Sequence, residues 1–181
     1  MSGTNSFGRK VLLTGAVAAS LVGMVQVAEA GGRARGAHPN AAGGVTAASG
    51  AAQQGPNGGK VARGRVTATD GEGNGATVSG GAFETPSGAK GARAGATTVD
   101  ADGTIKHQSG GAVSGPNGSA ATQGGFTRNP DGTFSGGRTT TATGANGNNA
   151  TSTSTYDSTN GYSRNVTCTD AAGNTIACPS R

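Results

Sequence analysis

The chain has 181 residues, 36 of them glycine, with 32% hydrophobic and 3% aromatic residues and a formal net charge of +5. Beyond residue 30 no leucine, methionine or tryptophan remains. That excludes an ordinary globular core, because a large buried side chain contributes about 1.5–3 kcal/mol while ordering each backbone residue costs about 1–2 kcal/mol.

Residues 1–30 have the plan of a cleaved secretory signal peptide. Arg9 and Lys10 form a positive start, Val11 to Val25 is apolar, and Ala28-Glu29-Ala30 is a small-x-small cleavage site. The apolar run is shorter than the ~20 residues of a membrane-spanning helix, so no transmembrane segment is expected after cleavage. The expected location is secreted, extracellular or at the cell surface, with the periplasm as the alternative. Residues 31–55 read as a Gly/Ala-rich flexible linker. The positive charge is spread thinly, densest at Arg33 with Arg35 and at Arg63 with Arg65, and no aromatic residues interleave with it in the chain. It reads as a solvated surface with at most a weak pull on anionic polymers and no specific nucleic-acid site.

Residues 56–181 carry a turn signal at regular intervals. The turn glycines are Gly58, Gly73, Gly88, Gly103, Gly118, Gly132, Gly147, Gly161 and Gly173, spaced 15, 15, 15, 15, 14, 15, 14 and 12 residues apart. One period before Gly58 lies Gly43, a weaker start to the same array. Turn types alternate, Pro-Asn-Gly or Pro-Ser-Gly with acidic or Asn-containing turns, so the better unit is about thirty residues. An offset of thirty matches Lys60 with Lys90, Arg63 with Arg93 and Asp70 with Asp100, among twelve identities in thirty positions. The segments between turns are rich in Thr, Val and Gly, which suit strands rather than helices. The predicted fold is all-β: an antiparallel meander of eight to ten long strands, with a two-sheet β-solenoid of thirty-residue rungs as the alternative. Asn-Gly and Asp-Gly favour the meander through type I′ hairpins, in which both central residues take positive φ. In Lys60 to Thr69, one face then carries Val61, Arg63, Arg65, Thr67 and Thr69, and the other Ala62, Gly64, Val66 and Ala68.

Cys168 and Cys178 lie five residues either side of Gly173, which places them across a hairpin and predicts a disulfide in an oxidising compartment. Asp70-Gly71-Glu72-Gly73-Asn74 spaces oxygen side chains at alternate residues, but the twelfth position of an EF-type loop is Gly81, so the acidic residues read as turn formers. His38 and His107 are the only histidines. They leave no zinc set and no Ser-His-acid triad, and the expectation is a non-enzymatic protein without cofactor or metal. A candidate binding face is formed by Thr139, Thr141, Thr143, Thr151, Thr153 and Thr155, whose hydroxyls alternate along strands.

A signal segment followed by tandem Gly/Asn/Thr-rich strand–turn units resembles the organisation of bacterial secreted fibre and biofilm-matrix proteins, including curlin-type functional amyloids. The likeness covers the plan of residues 56–175 and transfers no residue role. It implies a secreted structural or extracellular-matrix protein acting through self-association or surface assembly with other copies or cell-surface components. The alternative is a module that binds glycan or ice through its flat Thr-rich face.

Overall fold

The computed structural model describes residues 31–178, so the signal-peptide reading of residues 1–30 lies outside the described residues. Eleven strands follow one another: β1 (Gly32–Pro39), β2 (Val45–Gln54), β3 (Lys60–Thr69), β4 (Gly75–Glu84), β5 (Lys90–Val99), β6 (Ile105–Gly115), β7 (Gly118–Arg128), β8 (Phe134–Gly144), β9 (Asn149–Asp157), β10 (Gly161–Thr169) and β11 (Thr175–Ile176). They form one open antiparallel sheet in sequence order, a meander and not a solenoid.

The strand count exceeds the predicted eight to ten because residues 31–55 are not a linker: they supply β1 and β2. The reason lies in Asn40. Its backbone N–H donates to Gly44 O (2.9 Å), and Gly43 N–H donates to Asn40 O (3.1 Å). Its side-chain Oδ1 accepts from the N–H groups of Ala42 and Gly44. An Asn at the first turn position thus builds, without proline, the hairpin that Gly55-Pro56-Asn57-Gly58 builds with it.

All nine predicted turn glycines have positive φ, from 72° at Gly161 to 125° at Gly118, and Gly43 joins them at 84°. The expected type I′ geometry is not adopted, since no non-glycine residue among those described has positive φ. At the first proline turn, Gly58 N–H donates to Gly55 O (3.0 Å) and Gly55 N–H to Gly59 O (2.7 Å). This is a type I turn closed by a left-handed glycine. Proline locks the first central φ near −65°, so Asn57 falls at the second central position and only the glycine after it must turn left-handed. The same bond pair recurs at Thr85, Asp100, Asn129, Gly144 and Asp170.

Among the described residues no second layer covers the sheet. Extensive contacts join only strands adjacent in sequence, and among the described residues Val66, Ala68, Ala76 and Cys168 alone are buried apolar side chains. Val66 reaches 0% exposure between its lateral neighbours Ala48 and Val78. Aromatic rings lie down on glycines instead of entering a core. A Cβ at Gly91 would meet Phe83 Cζ at 2.8 Å, and one at Gly136 would meet Tyr156 Cζ at 2.9 Å.

The cysteines form the predicted disulfide, with Cα atoms 5.3 Å apart. They are not directly opposite, because the Asp170–Gly173 turn sets Cys168 against Ile176 and Cys178 lies two residues farther on. The bond ties the chain end to β10 beyond the two-residue β11.

Two stability predictions follow from these features. At Gly132, φ is 86° and an added Cβ meets nothing within 4 Å, so Gly132→Ala isolates the backbone cost of a left-handed L-residue, about 1–2 kcal/mol; urea unfolding should shift to lower midpoint by that amount with unchanged slope. The Cys168→Ser/Cys178→Ser pair should lose about 2–3 kcal/mol for a loop of this length, read as a lower thermal midpoint that a reductant no longer alters.

Candidate functional site

Because side chains alternate and neighbouring strands are in register, each residue's partners decide which face it shares. One cross-strand row runs Arg35, Ser49, Arg65, Ser79, Gly95, Ser109, Gly124, Arg138, Ser154, Arg164 from β1 to β10. The next row on the same face runs Arg33, Ala51, Arg63, Gly81, Arg93, Gly111, Thr122. Arg128 lies on this face as well, through its pairing with Ile105 and Phe134. Every arginine of the strands is therefore on one face, and all are exposed.

No strand carboxylate shares that face. Glu84 pairs with Lys60 and Lys90 on the opposite face, with Lys90 Nζ 3.3 Å from its Oε1. Asp157, paired with Ser135, is also opposite, and the remaining described carboxylates are in hairpins. Among the described residues the ion pairs between side chains are Lys90–Glu84 and Lys106–Asp100, neither involving arginine. Arg138 donates instead to Thr122 Oγ1 (3.1 Å) and Ser109 Oγ (3.2 Å), and Arg164 Nε to Ser152 Oγ (3.0 Å). Arg33, Arg35, Arg63, Arg65, Arg93 and Arg138 line an open trough of about 1130 Å³ that crosses the sheet from β1 to β8.

The aromatic residues are on this face too. Phe126 stacks on His107 with ring centroids 5.4 Å apart, and Phe134 is tilted against Tyr156 at 6.1 Å. Phe83 pairs with Val61 and Gly91, and Tyr162 with Tyr156. The sequence reading found no interleaving of arginine with aromatic residues, and along the chain there is none. The sheet register supplies it in space.

The opposite face is small and then hydroxylated. Its central row is Ala52, Ala62, Ala82, Ala92, Ala112, Ala121 across β2–β7, continuing as Thr141, Thr151, Thr167 across β8–β10. Beside it run Gly50, Gly64, Gly80, Ala94, Gly110 and Gln123, ending in Thr139, Thr153 and Asn165. All six threonines proposed from the sequence are on this face. Thr139 is opposite Thr153 with Oγ atoms 3.5 Å apart, Thr141 is opposite Thr151, Thr143 accepts from Asn149 Nδ2, and Thr155 is opposite Gly137.

The acidic turns use their carboxylates on the chain itself. Asp70 accepts from the N–H groups of Glu72 (2.8 Å) and Asn74 (3.0 Å) and from Asn74 Nδ2 (2.6 Å). Asp170 repeats the arrangement with Ala172 and Asn174. No group of three or more His, Cys, Asp or Glu among the described residues is disposed to hold a metal ion. The disulfide is compatible with an oxidising compartment. Comparison with models of known protein families, with curated proteins and with solved structures finds no match.

These hydrogen bonds make the turns acid-sensitive. The Asn174 amide, then its backbone N–H, holds the Asp170 carboxyl below its ordinary value of 3.8. The Thr133 hydroxyl does so at Asp131, and the Asn160 N–H at Asp157. At Asp70 burial pushes upward, and the bonds from Asn74 and Glu72 outweigh it. A folded-state value below the unfolded one favours folding fully above the unfolded value, and that contribution is lost as pH falls through the folded value. The thermal midpoint should therefore hold steady down to about pH 5 and decline below about pH 4. Asp70→Asn/Asp170→Asn should flatten the decline, since Asn40 serves the same turn position without a charge.

Proposed function

We propose that the chain is a secreted, non-enzymatic structural protein of the extracellular matrix or cell surface, and that it acts by self-association, one copy stacking its alanine face on that of another. What supports this reading is that the described residues form a single layer, eleven strands with four buried apolar side chains. A row of alanines beside a row of glycines is nearly flat, so two such faces approach closely and exclude water between them, the way low-volume sheets gain stability by stacking. The Lys60–Glu84–Lys90 row keeps charge at one margin of that face, leaving its middle uncharged. The plan agrees with the likeness to secreted matrix proteins, while glutamine beyond residue 30 is limited to Gln53, Gln54, Gln108 and Gln123, too few for the side-chain ladders of curlin-type fibres.

A second reading is favoured by the threonine pairs Thr139–Thr153 and Thr141–Thr151. Hydroxyls spaced about 4.8 Å across strands and about 6.8 Å along them present a regular grid to a glycan or to ice.

Sedimentation and electron microscopy of the chain from Gly31 to Arg181 separate the two. Stacking predicts association that grows with concentration, and Ala92→Glu, an unpaired charge in the dry interface, should weaken it by about tenfold or more. A monomer at every concentration, with ice shaping or glycan retention lost on Thr141→Val/Thr151→Val, would favour the threonine reading instead.

A further inference from the structure

We infer that the arginine face is a binding surface for a linear acidic polysaccharide, an extended sugar chain bearing carboxylates or sulfates, laid across the strands from β1 to β8. This does not rest on the stacking reading, which concerns the opposite face.

Charge sorting is the first ground. A surface kept charged for solubility intersperses both signs. On this sheet the arginines are together on one face, the strand carboxylates are on the other, and no arginine is neutralised by an ion pair among the described residues. Guanidinium is also the group that recognises carboxylate and sulfate by paired, parallel hydrogen bonds.

The second ground is the layout of the trough. Arg35, Arg65, Arg63 and Arg93 recur on alternate strands, which at the usual strand separation places successive guanidinium stems about 9.6 Å apart. In the Arg35–Arg65 row Ser49 lies between the two arginines and Ser79 follows Arg65, where hydroxyls meet the uncharged hydroxyls of intervening sugars. Farther along, Arg138 is already oriented by Thr122 and Ser109. Widely spaced cations separated by hydroxyls suit a polymer whose charges are interrupted by neutral polar groups.

The same layout disfavours nucleic acid. Each strand of a duplex presents a phosphate about every 3.4 Å, and single strands are held by rings free to stack with bases. Most rings of this face are engaged with the protein, Phe83 over Gly91, Tyr156 over Gly136, Phe126 against His107 and Phe134 against Tyr156, and the freely exposed Tyr162 is on β10, beyond the trough.

An exposed ion pair is weak by itself, so affinity comes from several at once and rises with polymer length until the trough is spanned. Seven strand separations from β1 to β8 amount to about 34 Å. The test is binding of the full chain, by calorimetry at several salt concentrations, to polygalacturonate fragments of graded length, to neutral dextran and to oligothymidylate of matched length. Polygalacturonate should bind, its affinity should climb up to about 34 Å of contour and fall with salt, and dextran should not bind. Arg35→Gln/Arg65→Gln/Arg138→Gln should reduce affinity on the order of tenfold or more. Lys60→Gln/Lys90→Gln/Lys106→Gln removes the same charge from the other face and should stay within about twofold. Equal losses in the two triple variants, or dextran binding as tightly as polygalacturonate, would show that the face is not the site. Tighter binding of oligothymidylate at matched salt and length would overturn the polysaccharide assignment in favour of single-stranded nucleic acid.

Discussion

The sheet depends on its register, and its hairpins hold that register. With so little apolar burial, main-chain pairing between neighbouring strands is the dominant ordering interaction, and pairing alone allows strands to slide. A one-residue slip in any hairpin would carry every side chain beyond it to the other face, putting arginines among alanines. What prevents this is a turn in which one glycine must be left-handed, at Gly58, Gly88, Gly103, Gly132 and Gly147 alike, locked by two backbone hydrogen bonds. The small-residue face, the arginine face and the position of the disulfide all follow from it.

A single layer also changes what side chains are for. In a globular domain, aromatic residues fill a core; Phe83 and Tyr156 instead cover bare glycine backbone on a wet face, an arrangement that shields ladder hydrogen bonds at positions without a Cβ. Arginine stems have a related use, since the Arg93 Cβ sits where a Cβ on Gly111 would come within 3.2 Å, and the Arg63 Cβ at 3.5 Å from one on Gly81. The alternation of large side chain and glycine across strands leaves room for each long side chain to lie over its neighbour.

The all-β meander, its turn positions and the cysteine pair were legible in the sequence because they rest on local chemistry: glycine at a fixed interval, proline or aspartate before it, and strand-forming residues between. The hairpin at Asn40 was harder to read because Ala41-Ala42 replaces the usual proline, and the signal that remained was Gly43, one period before Gly58. The type I′ expectation treated Asn-Gly as the two central residues, whereas the preceding proline or alanine shifts the pair one place along the turn. The threonine face was legible as an i, i+2 pattern within strands. The arginine face is a property of pairing across strands. Its traces in the sequence are Arg33 with Arg35 and Arg63 with Arg65 at i, i+2, and the thirty-residue offset of Arg63 and Arg93, which becomes two strands' displacement at constant register once the meander is known.

Since each strand makes extensive contacts only with the strands before and after it, the molecule is closer to a row of coupled hairpins than to one cooperative body. Loosening at β1 reaches the threonine-bearing strands only through all the pairings between them, while the far end is held by the covalent tie of Cys168 to Cys178. The row also has a natural unit of growth. Adding or removing two successive strands with their turns restores both chain direction and facing, so length can change by whole hairpins without moving an arginine to the alanine side.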